Sequence, residues 1–294
     1  DTESVTVTVQ QPLAPPVITC GTTTPNSVQF NWTPVAGASG YVVTGATGTQ
    51  SGNSFTVTGL NPGTPVTITV TAQNAGICGP SSATITCTST ACPPLPIAIA
   101  PVADICLTAS VTPITLSATG GTGGTGVWSG PGITNTATGV FNPTTAGPGT
   151  HPVVYAYTVG ICTYRDTLDI DVFAVPTANF SVSDTTICTG TATTLTYTGT
   201  AGAGATYAWN FGGGTANPGT GQGPQQVSWA TPGTKTVTLT VTQNGCTSPV
   251  FTRNIVVSAP MPAPVITCGT ATTTSVVFNW GAVTGATGYN VNVL

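Results

Sequence analysis

Residues 16–45 return almost unchanged at 264–293, and this recurrence limits the possible folds more than any single motif. Pro16-Val17-Ile18-Thr19-Cys20-Gly21-Thr22 reappears as Pro264 to Thr270, Phe30-Asn31-Trp32 as Phe278-Asn279-Trp280, and Tyr41 as Tyr289. Every match lies at an offset of 248, and 19 of the 30 positions are identical. The register extends upstream, where Val7, Val9 and Pro12 align with Ile255, Val257 and Pro260. A period this long holds about three small domains, so the expectation is a window of a longer tandem array. On that reading the chain opens in the last strand of one module and stops partway through another.

The segments between the repeats read as strands. Val66-Thr67-Ile68-Thr69-Val70-Thr71 and Val237-Thr238-Leu239-Thr240-Val241-Thr242 alternate aliphatic and hydroxyl side chains. A period of two with β-branched residues on both faces marks a half-buried strand. No window shows helical periodicity, and 37 Gly and 25 Pro punctuate the strands with turns. The fold class expected is all-β, a tandem array of Ig-like β-sandwich domains. Proline clusters at Pro12–Pro16, Pro93–Pro96, Val175-Pro176 and Pro260–Pro264 read as short, semi-rigid joints. They divide the chain into 1–12, 13–92, 93–175, 176–259 and 260–294, the first and last being partial modules. At about ten residues per strand and ~3.4 Å per residue, one period would extend on the order of 110 Å.

Charge is nearly absent. Three basic and seven acidic residues make up 3% of the chain, against about 25% in ordinary soluble domains. Three cations cannot build a nucleic-acid footprint or a polybasic membrane patch. No apolar run approaches the roughly eighteen residues that span a bilayer, so a membrane-embedded segment is not expected. Threonine, serine, glycine and amides are left to wet the surface.

Nine cysteines point to an oxidising compartment. Cys268 is the repeat of Cys20, so one period holds eight: Cys20, Cys78, Cys87, Cys92, Cys106, Cys162, Cys188 and Cys246. The odd count follows from the window and needs no reactive thiol. With no CxxC and His151 as the sole histidine, zinc is not expected.

Three resemblances emerge from the motifs. Phe30-Asn31-Trp32, Gly40-Tyr41-Val42 and Leu60-Asn61-Pro62-Gly63-Thr64 resemble a fibronectin type III domain, with Trp32 and Tyr41 in its core. Val66 stands where that family carries a tyrosine, which removes a hydroxyl anchor and leaves the cysteines to substitute for it. Trp209-Asn210-Phe211-Gly212-Gly213-Gly214 followed by Pro232-Gly233-Thr234-Lys235 resembles a PKD (polycystic kidney disease) domain. Gly213 and Asn210 replace acidic residues there, so no calcium site is carried over. Gly126-Val127-Trp128-Ser129-Gly130 and Gly139-Val140-Phe141-Asn142-Pro143 are similar to immunoglobulin-like repeats of Bacteroidetes-type surface proteins. The mixed string resembles the giant gliding-motility or type IX-secreted adhesins of those bacteria.

The sandwich resemblance implies Cys106–Cys162 and Cys188–Cys246 bridges, each within one module. Cys20, Cys78, Cys87 and Cys92 allow three pairings. Cys20–Cys87 is preferred because first and last strands of such sandwiches run side by side, which leaves Cys78–Cys92.

The remaining chemistry is thin. Asp166, Asp169 and Asp171 form the only carboxylate cluster. Asp169 and Asp171 share a strand face and are the weak candidates for a metal, but a solvated edge discouraging aggregation is the preferred reading. His151 is expected in a surface turn, and Gly120–Gly126 lacks the lysine and helix of a phosphate loop. Asp166-Thr167-Leu168 and Asp184-Thr185-Thr186 match the O-glycosylation pattern of Bacteroidetes-type bacteria, making Thr167 and Thr185 candidate sites. Asn31-Trp32-Thr33 and Asn179-Phe180-Ser181 are N-glycosylation triplets placed in strands and therefore discounted. Trp32, Trp128, Trp209 and Trp280 read as core, whereas Trp229 and Tyr207 read as partly exposed and able to touch carbohydrate. The expected protein is a non-enzymatic extracellular shaft of an adhesin or filament, with no catalytic residue and no cofactor. Its partners would be cell-surface or self-association contacts, and carbohydrate at a distal tip outside residues 1–294. The alternatives are a self-assembling fibre subunit and a spacer in a secreted hydrolase.

Overall fold

In strand Ser27–Trp32 the buried positions are Val28, Phe30 and Trp32 and the intervening residues are not. In Pro65–Gln73 they are Val66, Ile68, Val70 and Ala72. The aliphatic-threonine alternation thus becomes one dry and one wet face per strand. The computed structural model describes residues 2–7, 9, 11–75 and 79–292. It is all-β in tandem Ig-like sandwiches, with one helical turn at Pro143–Ala146. That turn follows Asn142, whose Oδ1 accepts the Thr144 N–H at 3.0 Å, an N-cap that periodicity cannot reveal in four residues.

The chain divides into two compact units, residues 1–102, 113–145 and 151–170 forming one and residues 103–112, 146–150 and 171–294 the other. The first unit opens with a two-sheet sandwich. One sheet runs Ile18–Thr24, Ser27–Trp32, Ser54–Thr58, Thr49–Ser51, and the other Gly40–Thr44, Pro65–Gln73, Ser81–Thr88. Val28, Phe30, Trp32, Phe55 and Val57 of the first sheet meet Val66, Ile68, Val70 and Cys87 of the second. Outside, Thr67 and Thr86, and Thr69 and Thr84, hydrogen-bond across the strands at 2.8 Å each. These hydroxyl pairs occupy sites where charged pairs usually stabilise a sheet. The hydroxyl anchor absent at Val66 is supplied by buried Ser89, which accepts the Thr64 N–H and donates to Asn61 O, both at 2.9 Å. The turn is therefore tied by a serine rather than by the cysteines alone.

The remainder of the first unit centres on strand Thr125–Ser129, antiparallel to Gly149–Val159 from Thr125↔Thr158 to Ser129↔Val154. Trp128, Phe141, Val153, Tyr157 and Ile170 are buried there. His151 is buried too, its ring 6.2 Å from that of Phe141. The expected surface turn is corrected to an inward strand position, in phase with buried Val153. The Gly120–Gly126 segment wraps Tyr157, whose hydroxyl accepts the Gly124 N–H at 2.7 Å, and a Cβ on Gly124 would strike the tyrosine ring at 2.8 Å.

In the second unit, Ile105–Leu107 runs parallel to Val172–Ala174. A second sandwich follows. One sheet runs Phe180–Val182, Ala192–Tyr197, Gln225–Ser228, Thr215–Asn217; the other runs Thr186–Cys188, Phe251–Ser258, Gly233–Gln243, Thr206–Asn210. Phe180, Leu195, Val227 and Trp229 pack against Val237, Leu239, Val241, Ile255 and Val257. The short strand Cys246–Thr247 folds back on Thr242-Gln243 through Asn244-Gly245. Both turn residues have positive φ, 50° and 74°, as a two-residue hairpin matching the strand twist requires.

The hairpin Ile266–Ala271/Val276–Trp280 reproduces the register of Ile18–Thr24/Ser27–Trp32. Ile266↔Trp280 and Cys268↔Phe278 mirror Ile18↔Trp32 and Cys20↔Phe30, with the same irregularity after the cysteine. Phe278 is nevertheless 51% exposed where Phe30 is 0%. Trp280, expected in a core, is also exposed, because the sheet that covers Trp32 has no counterpart among the described residues.

Gln225 is fully buried yet fully bonded. Its Oε1 accepts Gly219 N–H at 2.7 Å, and its Nε2 donates to Thr220 O at 2.9 Å and Gly221 O at 3.2 Å. Gln225→Glu places a carboxylate against two carbonyls. It is expected to cost about 2–3 kcal/mol at neutral pH. Burial against carbonyls raises the folded carboxyl above its unfolded value, so the cost should shrink as pH falls through that raised value and be largely gone at the ordinary glutamate range, because the protonated acid can donate again. Urea titrations of the variant at pH 7 and pH 4 check this, and a loss independent of pH would refute it.

Candidate functional site

The polar candidates do not converge. Asp166 accepts the Ile99 N–H at 2.7 Å, so it ties a strand end and is not a solvated edge charge. Asp171 accepts the hydroxyl of Thr150, and Asp169 is exposed. Among the described residues no group of three His, Cys, Asp or Glu side chains could hold a metal. In the PKD-like turn, Asn210 Oδ1 accepts Gly212 N–H at 2.9 Å and so closes a backbone turn. Thr167 and Thr185 are both exposed.

Trp229 is 2% exposed, and its indole N–H donates to Phe211 O at 2.9 Å. The expected carbohydrate-facing role is therefore corrected: the ring fills the core beneath the Phe211–Gly214 turn. Tyr207 is half-buried, edge-on to Tyr197 with centroids 5.1 Å apart. Burial, and secondarily the neighbouring Tyr197, raises its phenol above the ordinary tyrosine value. Tyr197 itself donates to Thr177 O at 2.7 Å and accepts Ala201 N–H at 2.8 Å. These aromatics pack the sandwich and form no platform.

The cysteines do converge, in a pattern the sequence did not reveal. Among the described residues three bonds form: Cys20–Cys87, Cys92–Cys162 and Cys106–Cys246, with Cα separations of 5.7, 5.7 and 5.5 Å. Cys20–Cys87 joins the two sheets of the first sandwich at their adjoining edges. The other two differ from the expected Cys106–Cys162 and Cys188–Cys246. Cys106 lies beside Phe173, whereas Cys162 starts the same strand eleven residues earlier. At ~3.3 Å per residue that is roughly 36 Å, against a Cα reach of about 7 Å. Likewise Cys188 lies beside Ser258 near Gly233, and Cys246 beside Gln243 at the far end of the same strand. Within a module the expected partners sit at opposite ends.

The bonds run between consecutive sandwiches instead. Cys162 opens the strand after the Gly160-Ile161 turn and reaches back to Cys92 in the Pro-rich joint after Ser81–Thr88. Tyr164 reinforces this joint by donating its hydroxyl to Pro93 O at 2.7 Å. Pro25, Asn26, Pro93, Ile161 and Tyr164 line the crevice beside the bond. Cys246, just after Asn244-Gly245, reaches back to Cys106, and Leu107, Val175, Pro176 and Ser248 line a matching crevice. Cys92 is thus unavailable to Cys78, which lies outside the described residues. Cys188 and Cys268 are exposed free thiols. The signal that could have found the pattern is positional: Cys162 and Cys246 each have a turn glycine, Gly160 or Gly245, within the two residues before them, whereas Cys106 and Cys188 have none there.

Comparison with known families agrees with this architecture. Residues 13–88 match the fibronectin type III domain and residues 174–257 the PKD domain. A three-domain fragment of the titin I-band is similar at 10% identity over 84% of this chain and 99% of that one, with a TM-score of 0.37. The three N-terminal domains of the highly immunogenic outer capsid protein of bacteriophage RB49 are similar at 14% identity, over 84% and 98% of the two chains, with a TM-score of 0.37. The N-terminal eight Ig domains of Down syndrome cell adhesion molecule give 14% identity over 86% and 37%, with a TM-score of 0.39. Likenesses this weak carry no argument about function. No curated protein matches the chain. No helix among the described residues is long and apolar enough to cross a membrane. The class defined is a tandem array of Ig-like, fibronectin type III-like and PKD-like domains, of the kind that are typically structural modules.

Replacing Cys92 and Cys162 together by serine should lower the stability of the first unit by roughly 4 kcal/mol in the chain-entropy account. The Cys20–Cys87 bond should persist. Urea titration with and without reductant checks this, and a variant as stable as the parent would show that the joint bond adds nothing.

Proposed function

We propose that this chain is a segment of a load-bearing, non-enzymatic extracellular shaft that projects a surface adhesin or filament. The domain bounds 1–12, 13–92, 93–175, 176–259 and 260–294 serve as its modules. The observation that carries the reading is the set of bonds between consecutive sandwiches, because they define the covalent path along which tension travels. Force entering at residue 13 crosses from Cys20 to Cys87, passes to Cys106, and crosses to Cys246. Only about forty residues of a period remain on that path, or ~140 Å fully extended, against ~860 Å for the unbridged chain. A shaft so linked can lose every sandwich core and still not lengthen far.

The disulfides imply an oxidising compartment outside the cytosol. Partners would be cell-surface or self-association contacts, with carbohydrate engaged at a distal tip beyond these residues. A coat with ten charges in 294 residues gives salt and pH little to act on. Thr167 and Thr185, each exposed and preceded by aspartate, are the proposed O-glycosylation sites.

Single molecules pulled to full extension should reach about 150 Å per period when oxidised and about six times that after reduction; equal extension would refute the load path. The reduced mass of the native polypeptide separates the remaining readings. Many periods in one chain support the shaft, one or two replace it with a fibre subunit, and an added catalytic domain makes this region a hydrolase spacer. Peptides containing Thr167 and Thr185 from the same digest should carry hexose, and their recovery unmodified would remove the glycosylation sites.

A further inference from the structure

We infer that Cys188 is bonded, in the assembled protein, to the counterpart of Cys78 in the repeat that follows, so that every joint of the period carries a covalent clamp. Two observed bonds set the rule. Each joins a cysteine near the downstream end of one sandwich, Cys92 or Cys106, to the cysteine that follows the turn glycine between the last two long strands of the next, Cys162 or Cys246. Cys188 occupies the place of Cys106. Both lie on a three-residue strand running parallel to the end of the last strand, Cys106 beside Phe173 and Cys188 beside Ser258. Cys106 is bonded forward; Cys188 is exposed and has no forward partner among the described residues.

The module downstream of Cys188 is a second copy of the first sandwich, as the matched hairpin registers show. Its cysteine between the last two strands in sequence is therefore the counterpart of Cys78. In sequence, Cys78 falls between the strands Pro65–Gln73 and Ser81–Thr88 and closes the tripeptide Gly76-Ile77-Cys78, the same as Gly160-Ile161-Cys162. With this bond all eight cysteines of a period are paired: one bridge inside the first sandwich and one across each of three joints.

Formation joins two thiols as one disulfide and releases two protons and two electrons. An external protein disulfide of the oxidoreductase class takes these up and leaves as a dithiol. The inference depends on the shaft reading only in requiring that a further repeat follows.

The test is a map of the native polypeptide, blocked with N-ethylmaleimide, digested without reduction and analysed by mass spectrometry. The expected result is a linked peptide pair holding Cys188 and Cys78, with no maleimide on Cys188. Recovery of Cys188 carrying maleimide, or bridged to Cys246, overturns it. The variant Cys188→Ser should add one maleimide-reactive thiol per period, located on Cys78, and leave the other three bridges intact; an unchanged thiol count overturns it equally. If the linked pair is found but non-reducing electrophoresis shows a ladder that collapses to a single period on reduction, the Cys188–Cys78 pairing stands. In that case the one-chain shaft fails, so the two failures are distinguishable.

Discussion

Alternation of aliphatic and hydroxyl side chains along each strand is the constraint on which the rest of this protein depends. It determines which face of Pro65–Gln73 or Gly233–Gln243 is dry, and so which sheets must face one another. It also determines what the wet faces can do. Threonine keeps β propensity and pairs with threonine across the strand, as in Thr158–Thr163 at 3.0 Å and Thr242–Thr247 at 2.9 Å. These two pairs sit beside the hairpins whose next element carries Cys162 and Cys246, so the hydroxyl ladder and the clamp share one structural unit.

A string of small sandwiches joined by prolines would ordinarily hinge at each joint, since interfaces between domains are small and polar. Here the second and third bonds remove much of that freedom. The Tyr164–Pro93 hydrogen bond adds a specific contact beside Cys92–Cys162. Because the Cys106–Cys246 loop overlaps the Cys92–Cys162 loop in sequence, no cut or unfolding event between residues 106 and 162 separates the chain's two ends. Redundancy of this kind suits a structure exposed to force and proteases more than one that must move.

Most of the fold was legible because strand periodicity, turn glycines and proline clusters are local signals. Val28, Phe30 and Trp32 could be assigned to a core from spacing alone. The site was not legible, and Cys106 shows why. Its neighbours say that it lies on a short strand, but its partner depends on which end of the sandwich that strand occupies. That in turn depends on a parallel pairing with Val172–Ala174, more than sixty residues away. His151 was missed for a different reason: a histidine before a proline reads as a turn, and only the phase shared with Val153 places it inside. Trp229 was missed because its environment is set by the returning Phe211–Gly214 turn, whose backbone satisfies the indole.

Few charges raise a problem that the architecture must solve without them. Edge strands are usually protected from pairing with other chains by lysines and glutamates, and this chain has almost none to place. Several edges are instead too short to template a partner: Thr49–Ser51, Phe180–Val182, Thr186–Cys188 and Thr215–Asn217 have three residues each. Ile18–Thr24 is interrupted by the irregularity after Cys20. The long exception is Ser81–Thr88, and it is the edge that Cys87 ties to Cys20, drawing the two sheets together on that side. The intramodular disulfide therefore closes the sandwich on that side, while Ser81–Thr88 and Ile18–Thr24 each stay an edge of their own sheet. An almost uncharged coat thus relies on edges that are short or interrupted, and on the side of the longest edge a cross-link keeps the two sheets from parting.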